Sequence, residues 1–456
     1  MPISPSRSLD RRRFLAVSAG SALGASALSA CAASVDNGGG SGGKGSGGGG
    51  KTTLTVMSND GELGSKEVIA YAEQTLGVKI SLVTYDMTKL NAMLASKNPP
   101  DLVRGYGALD TPYFAARGLM TDLDSYFAKS SVIKVSDLDP VNDLWRFDGK
   151  KQGSGPRYGM AKDWSQDAMF WYRTDLFDAA KLDHPSATEP LSYDEWLDLG
   201  KQLVKRRLGK VKVYGMNAGG GNIQMFQQMT ASAGGSLFAD DLASLDFSSP
   251  EALKALSWYL EYAKANIGPS PANPNPDGWD WPAFQASRMA MSSAGYWFGG
   301  TIGADAKLTK VSRFAPAPQL GGGHRISPCF GATGYWMPKD AKNKDLAWKL
   351  FEWYMGGKPA KERAGSGLGI SALKSMRSMM PQGTRYQKQA YEVQQQELPY
   401  LQVMSMTPYV QSTALDAVIN KVLPGAIKSG TSAGKVADAL NKQMNAAIAQ
   451  GKELVG

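Results

Sequence analysis

The chain has 456 residues, 43% of them apolar and 20% charged, with a formal net charge of +9 and two cysteines. This is the composition of a globular protein long enough for two lobes rather than one. Basic and acidic residues are interspersed without a long basic run, which argues against a nucleic-acid partner, and the apolar stretches are too short or too interrupted by charge for a transmembrane helix.

The first segment is an address. Arg11-Arg12-Arg13-Phe14-Leu15 is a twin-arginine start, followed by small apolar residues from Ala16 to Ala27 and then Leu28-Ser29-Ala30-Cys31. A basic region, a short apolar region and small residues before a cysteine form the pattern of a lipoprotein signal. Residues 1–30 are therefore expected to be a twin-arginine lipoprotein signal peptide, with Cys31 acylated as the new N-terminus. The expected location is the extracytoplasmic face of the cell membrane, lipid-anchored. Arg7, Arg11, Arg12 and Arg13 leave with the signal, as does Asp10, so the mature chain carries +6. With Cys31 committed to lipid, Cys329 has no intrachain partner and reads as a small buried apolar residue.

Residues 31–51 read as a flexible tether, almost all Gly and Ser from Asn37 to Gly50. The run Gly45 to Thr52 satisfies the spacing of a phosphate-binding loop. That loop needs a strand before it and a helix after it, whereas here a glycine tract precedes and strand-like Leu54-Thr55-Val56 follows. The match comes from composition.

The body then alternates. Thr53 to Met57 reads as a strand, Lys66 to Leu76 as a helix stopped by Gly77, and Val78 to Val83 as a second strand. Met87 to Ser96 reads as a helix ended by Asn98-Pro99-Pro100, and Asp101-Leu102-Val103 begins a third strand. Strand and helix in alternation predict a parallel sheet with helical crossovers. Further helices are predicted over Tyr193–Lys205, with Ser192 and Glu195 as a capping box, and over Pro250–Ala265, with proline in the first turn. Asp345–Met355 and an amphipathic C-terminal stretch, Gly434–Ile448, complete the set.

Several segments fall in a familiar order. Asn98-Pro99-Pro100-Asp101-Leu102-Val103 leads into the third strand, and Arg117-Gly118-Leu119-Met120-Thr121-Asp122-Leu123 forms a Gly-Leu turn. Tyr158-Gly159-Met160 precedes the aromatic run Phe170-Trp171-Tyr172-Arg173-Thr174-Asp175-Leu176-Phe177, where Arg173-Thr174 stands in place of the usual Asn-Lys. Leu191 to Trp196, Gly234 to Phe238, Arg288 to Trp297, Ala315 to Pro318 and Gly331 to Trp336 follow. From Thr52 onward this order resembles the extracellular solute-binding proteins of ABC importers, the maltose-binding-protein-like sugar-binding lipoproteins.

The resemblance implies an α/β, two-lobe, type II periplasmic-binding-protein-like fold with a ligand cleft between lobes joined by hinge crossings near Met160, Val311 and Met355. The N-terminal lobe would comprise 52–163 and 311–355, and the C-terminal lobe 164–310 and 356–456. The implied function is capture of a sugar or oligosaccharide and its delivery to membrane permease subunits of an ABC transporter. No cofactor, metal or catalytic residue is expected, and the protein is expected to be a monomer.

A sugar offers an apolar C–H face and a rim of hydroxyls, so aromatic and amide or carboxylate side chains should meet it. Trp297 matches the place of a stacking tryptophan in maltose-binding protein. Trp164, Asp163, Asn59, Asp60, Tyr106 and Trp336 are the other candidate ligand contacts. Trp279 and Trp281, flanking Asp280 in a Pro-rich stretch, are candidates for a cleft wall, while Trp258 and Trp353 lie on predicted helices and read as structural. Two alternatives stand beside this reading. One is a binding protein for a polyamine, iron or a peptide. The other is a secreted carbohydrate-active enzyme using two carboxylates; Asp163 and Asp167 lie four apart in one loop, a spacing common by chance. With His184 and His324 as the only histidines, neither a Ser-His-Asp triad nor a zinc site is indicated.

Overall fold

Thr53–Ser58 (β1) enters the interior on Leu54, Val56 and Met57, all fully buried. The structure, a computed structural model, describes residues 51–321 and 325–455; the signal, Cys31, nearly all of the tether and His324 lie outside the described residues. Lys66–Leu76 (α1) starts at Ser65, whose hydroxyl accepts from the Val68 N–H, and stops at Gly77 with φ 68°. That left-handed cap is open to a residue without Cβ at little steric cost. Lys79–Thr84 (β2) pairs parallel with β1 along its length. Met87–Ala95 (α2) is capped by Asp86, and Leu102–Tyr106 (β3) pairs parallel with the other side of β1. The alternating start of the body thus builds three parallel strands with helical crossovers.

The strand β3 runs without a loop into Gly107–Ala116 (α3), and Gly159–Ala161 (β4) joins the same sheet. The chain then leaves it. Phe170–Arg173 (β5) is the centre of a second sheet, flanked by Met291–Ser292 (β6) and Ser312–Ala315 (β7), both antiparallel to it. Thr333–Trp336 (β8) returns to the first sheet between β3 and β4, antiparallel to both. The first sheet is therefore mixed rather than all parallel. At the return the backbones press together: a Cβ on Gly334 would sit 1.8 Å from the Met160 carbonyl oxygen, so only glycine fits.

The return also falls later than the 311 boundary expected from the resemblance. Ser312–Ala315 is tied to the second sheet, with the Phe314 ring 4.6 Å from that of Trp171. The Gln389 amide bonds both the N–H and the carbonyl of Phe314. The crossing back lies between Ala315 and Thr333.

Tyr193–Leu203 (α4) carries the capping box of Ser192 and Glu195. It stops two residues short of the predicted end because Lys205–Arg207 pairs with Lys210–Val213 as a hairpin. Ile223–Ser232 (α5) and Pro250–Ala265 (α6) follow, then the short Phe298–Gly303 (α7), Lys344–Gly356 (α8) and Arg385–Glu397 (α9). Ser412–Ser429 (α10) and Ala433–Val455 (α11) close the chain, packing against α5 and α6. Cys329 is free and buried. No described helix is long and apolar enough to cross a membrane.

Candidate functional site

A cavity of about 1080 Å³ opens between elements of the two sheets. One wall comes from the ends of the first sheet: Tyr85 after β2, Tyr106 at the end of β3, Asp110 in the first turn of α3, and Phe330-Gly331 before β8. The opposite wall comes from the Asn217–Gly220 loop, the start of α5, the Pro-rich loop from Pro269 to Asp280, the approach to α7, and α10. Clefts at the ends of strands, between two lobes, are where small-molecule sites form in α/β proteins.

The aromatic side chains are presented by short, well-tied segments. After β6 the chain reaches Gly295 at φ 64°, where a Cβ would lie 2.4 Å from the Ser165 hydroxyl. Its N–H donates to the Met169 carbonyl at 3.0 Å, its carbonyl accepts from the Trp171 indole at 2.8 Å, and the Tyr296 N–H donates to Ser165 Oγ at 2.7 Å. This turn aims Trp297 into the cleft. The ring packs edge-on against Phe298, with 5.6 Å between centroids, yet the residue stays 37% exposed. Trp279 is 46% exposed on the Pro-rich loop, with its carbonyl held by the Asn275 amide at 3.0 Å. Across the cleft, Tyr106 carries the Arg104 guanidinium 4.2 Å over its ring, and Arg104 pairs in turn with Glu62.

Four carboxylates line the same space: Asp110, Asp167, Asp280 and Asp416. Asp110 accepts from the Tyr106 N–H at 2.7 Å, and Asp167 from the Phe330 and Gly331 N–H groups at 2.8 and 3.1 Å. Asp280 accepts from the Asn217 amide at 2.7 Å and from the Ser292 hydroxyl, while Asp416 accepts from the Ile223 N–H at the start of α5 at 2.8 Å. Burial raises the pKa of all four from the ordinary aspartate value, with Asp110, Asp167 and Asp416 each pushed to about 6. Among the described residues no lysine or arginine lines the cleft.

The candidates drawn from the sequence separate. Trp297 and Tyr106 line the cavity. Trp336 does not: it is fully buried in β8 and stacks on Phe114 at 5.1 Å. Trp164 is 2% exposed in a two-residue strand pairing with Ile370–Ser371, so it packs in the interior instead of meeting the cleft. Asp163 is held by the Lys162 ammonium, which also reaches Glu62 at 3.3 Å. Asn59 and Asp60 are exposed in the turn after β1, and Asp60 accepts from the Thr84 hydroxyl; neither lines the cavity. Of the carboxylate pair noted for a hydrolase, Asp167 faces the cleft and Asp163 is absent from its lining. The Pro-rich stretch does supply a wall, through Trp279 and Asp280, while Trp281 lies at a separate small surface hollow. Sequence reasoning passed over Asp110, Asp416 and Gln228, which sit inside ordinary helical patterns. The glycine run Gly219-Gly220-Gly221 bracketed by Asn217 and Asn222 was a legible signal for a polar loop at a strand end.

Cleft and fold together define a two-lobe binding protein of type II. Residues 46–358 match the sequence profile of the bacterial extracellular solute-binding proteins, and the chain belongs to that family. Similar folds include an ABC substrate-binding protein of Listeria monocytogenes in complex with cycloalternan, at 20% identity and a TM-score of 0.73, covering 88% of this chain and 99% of that one. A solute-binding protein of Thermotoga lettingae bound with α-D-tagatose aligns at 20% identity and TM-score 0.70, over 87% of this chain and all of that one. The ABC transporter associated binding protein of B. animalis subsp. lactis, in complex with β-1,6-galactobiose, aligns at 18% identity and TM-score 0.70, over 89% of this chain and 99% of that one. No curated protein matches the chain in sequence.

Proposed function

We propose that the protein captures a sugar or oligosaccharide outside the cytoplasmic membrane and delivers it to the permease subunits of an ABC transporter, anchored by lipid at Cys31. The observation that carries this reading is the pairing of exposed Trp297 and Trp279 with carboxylate and amide groups in one cavity of about 1080 Å³. A flat ring covers the apolar face of a pyranose, and acceptors and donors around it take the hydroxyl rim. The sugar ligands in the names of the similar structures support the same reading. Binding would draw the two lobes together about the crossings that follow β4 and β7, and about a third after α8, and the permease would read the closed form. The protein is proposed to act by binding alone, as a monomer, without a cofactor.

A thermal-shift screen across neutral mono- and oligosaccharides tests the proposal. A ligand that binds only the folded state raises the melting temperature with concentration. A screen in which no sugar shifts the transition, while a peptide or an iron complex does, would overturn it.

A further inference from the structure

The charge of the cleft is one-sided. Asp110, Asp167, Asp280 and Asp416 line it from both walls, and among the described residues no lysine or arginine joins them. Arg104, the cation nearest Asp110 in sequence, is engaged by Glu62 at 2.7 Å and lies behind the Tyr106 ring. Every hydrogen bond these four carboxylates accept comes from a neutral donor: a backbone N–H, an amide or a hydroxyl. Asp110 is buried and Asp167, Asp280 and Asp416 are half-buried, and the protein packed around them raises their affinity for protons, in Asp110 against the field of Arg104.

Two side chains of the lining, Asp110 and Gln228, keep polar atoms free for a ligand. Asp110 is 5% exposed; one of its oxygens accepts from Tyr106, and the other has no partner among the described residues. Gln228 is 8% exposed, lines the same cavity, and its amide makes no hydrogen bond among the described residues. Both side chains are nine-tenths buried, yet their free polar atoms open on the cleft, where a ligand can bond them. The carboxylates do not gather at a point: among the described residues no group of three or more acidic, histidine or cysteine side chains is placed to hold a metal ion. The cation that suits them is therefore extended and organic.

We propose that the physiological ligand is a basic saccharide, a sugar or short glycoside bearing a free, protonated amine, whose ring lies on Trp297 and whose ammonium is neutralised by the cleft aspartates. This rests on the cleft being the sugar site and narrows the class of sugar. The two aromatic faces suit the apolar C–H face of a sugar ring, and a linear polyamine, whose ammonium groups such rings also attract, is the competing outcome of the test.

The test uses matched pairs at pH 7.5: glucosamine, galactosamine, mannosamine and the β-1,4-linked glucosamine disaccharide, each against its N-acetylated form, with spermidine as a third arm, measured by calorimetric titration. The expected result is at least tenfold tighter binding of one free amine than of its N-acetyl partner, with the difference shrinking as salt rises. Asp110→Asn and Asp280→Asn each keep an acceptor oxygen and remove the charge. Each should weaken the amine at least threefold more than it weakens the N-acetyl partner, with far-ultraviolet circular dichroism confirming the fold. Equal or tighter binding of the N-acetylated or neutral sugars overturns the inference and leaves the sugar reading standing. Binding of spermidine alone overturns both. If no amine binds, the inference fails, and the neutral-sugar screen judges the broader reading separately.

Discussion

Replacing Trp297 by alanine separates a ligand platform from a packing residue. A tryptophan presents roughly 250 Å², and at 37% exposure about 90 Å² of it faces the cleft. Covering that area with a sugar face is worth about 2 kcal/mol at roughly 25 cal/mol per Å², or about a thirtyfold change in affinity. The buried remainder of the ring leans on Phe298 at a short helix start. The variant should therefore lose less stability than the 3–5 kcal/mol typical (roughly) of truncating a core tryptophan. The assay is a calorimetric titration with the sugar giving the largest thermal shift, run beside a chemical denaturation of both proteins. Normal affinity together with a core-sized loss of stability would refute the reasoning and make Trp297 a structural residue.

Three other outcomes are expected. Cys31→Ser should release the protein from membranes into the medium with unchanged ligand affinity; fractionation after a salt wash checks it, and a variant that stays bound places the anchor elsewhere. Small-angle scattering should give a smaller radius of gyration with saturating ligand, and an identical profile with binding confirmed would sink lobe closure. Asp110, Asp167 and Asp416 have folded pKa values raised to about 6 by burial, so the native state binds protons that the unfolded chain has released. Their contribution to stability is complete below the unfolded carboxylate range and is lost as pH rises through about 6. The unliganded protein should then melt at a higher temperature at pH 5 than at pH 7. Asp416→Asn should flatten that slope, and a melting temperature that climbs between pH 5 and 7 would count against this account.

The sequence by itself determined the local elements wherever a cap or a period spoke for them. Lys66–Leu76 ends at Gly77 as predicted, and Pro250–Ala265 begins at its proline. Both follow from interactions within a few residues of the chain, which sequence displays directly. The two-lobe class was also legible, through the order of its segments. What only tertiary structure decided is which face each side chain meets. Trp164, Trp336 and Trp297 look alike in sequence, each an aromatic in or beside a strand-like run. Pairing of Trp164 with Ile370 and stacking of Trp336 on Phe114 bury two of them, while the left-handed turn at Gly295 leaves the third facing the cleft. The four aspartates come from positions 110 to 416, and nothing local marks them as companions. Their common site exists because β8 returns between β3 and β4 and α10 packs on α5, contacts between residues hundreds of positions apart, where burial and pairing across the fold outweigh any preference of the single residue.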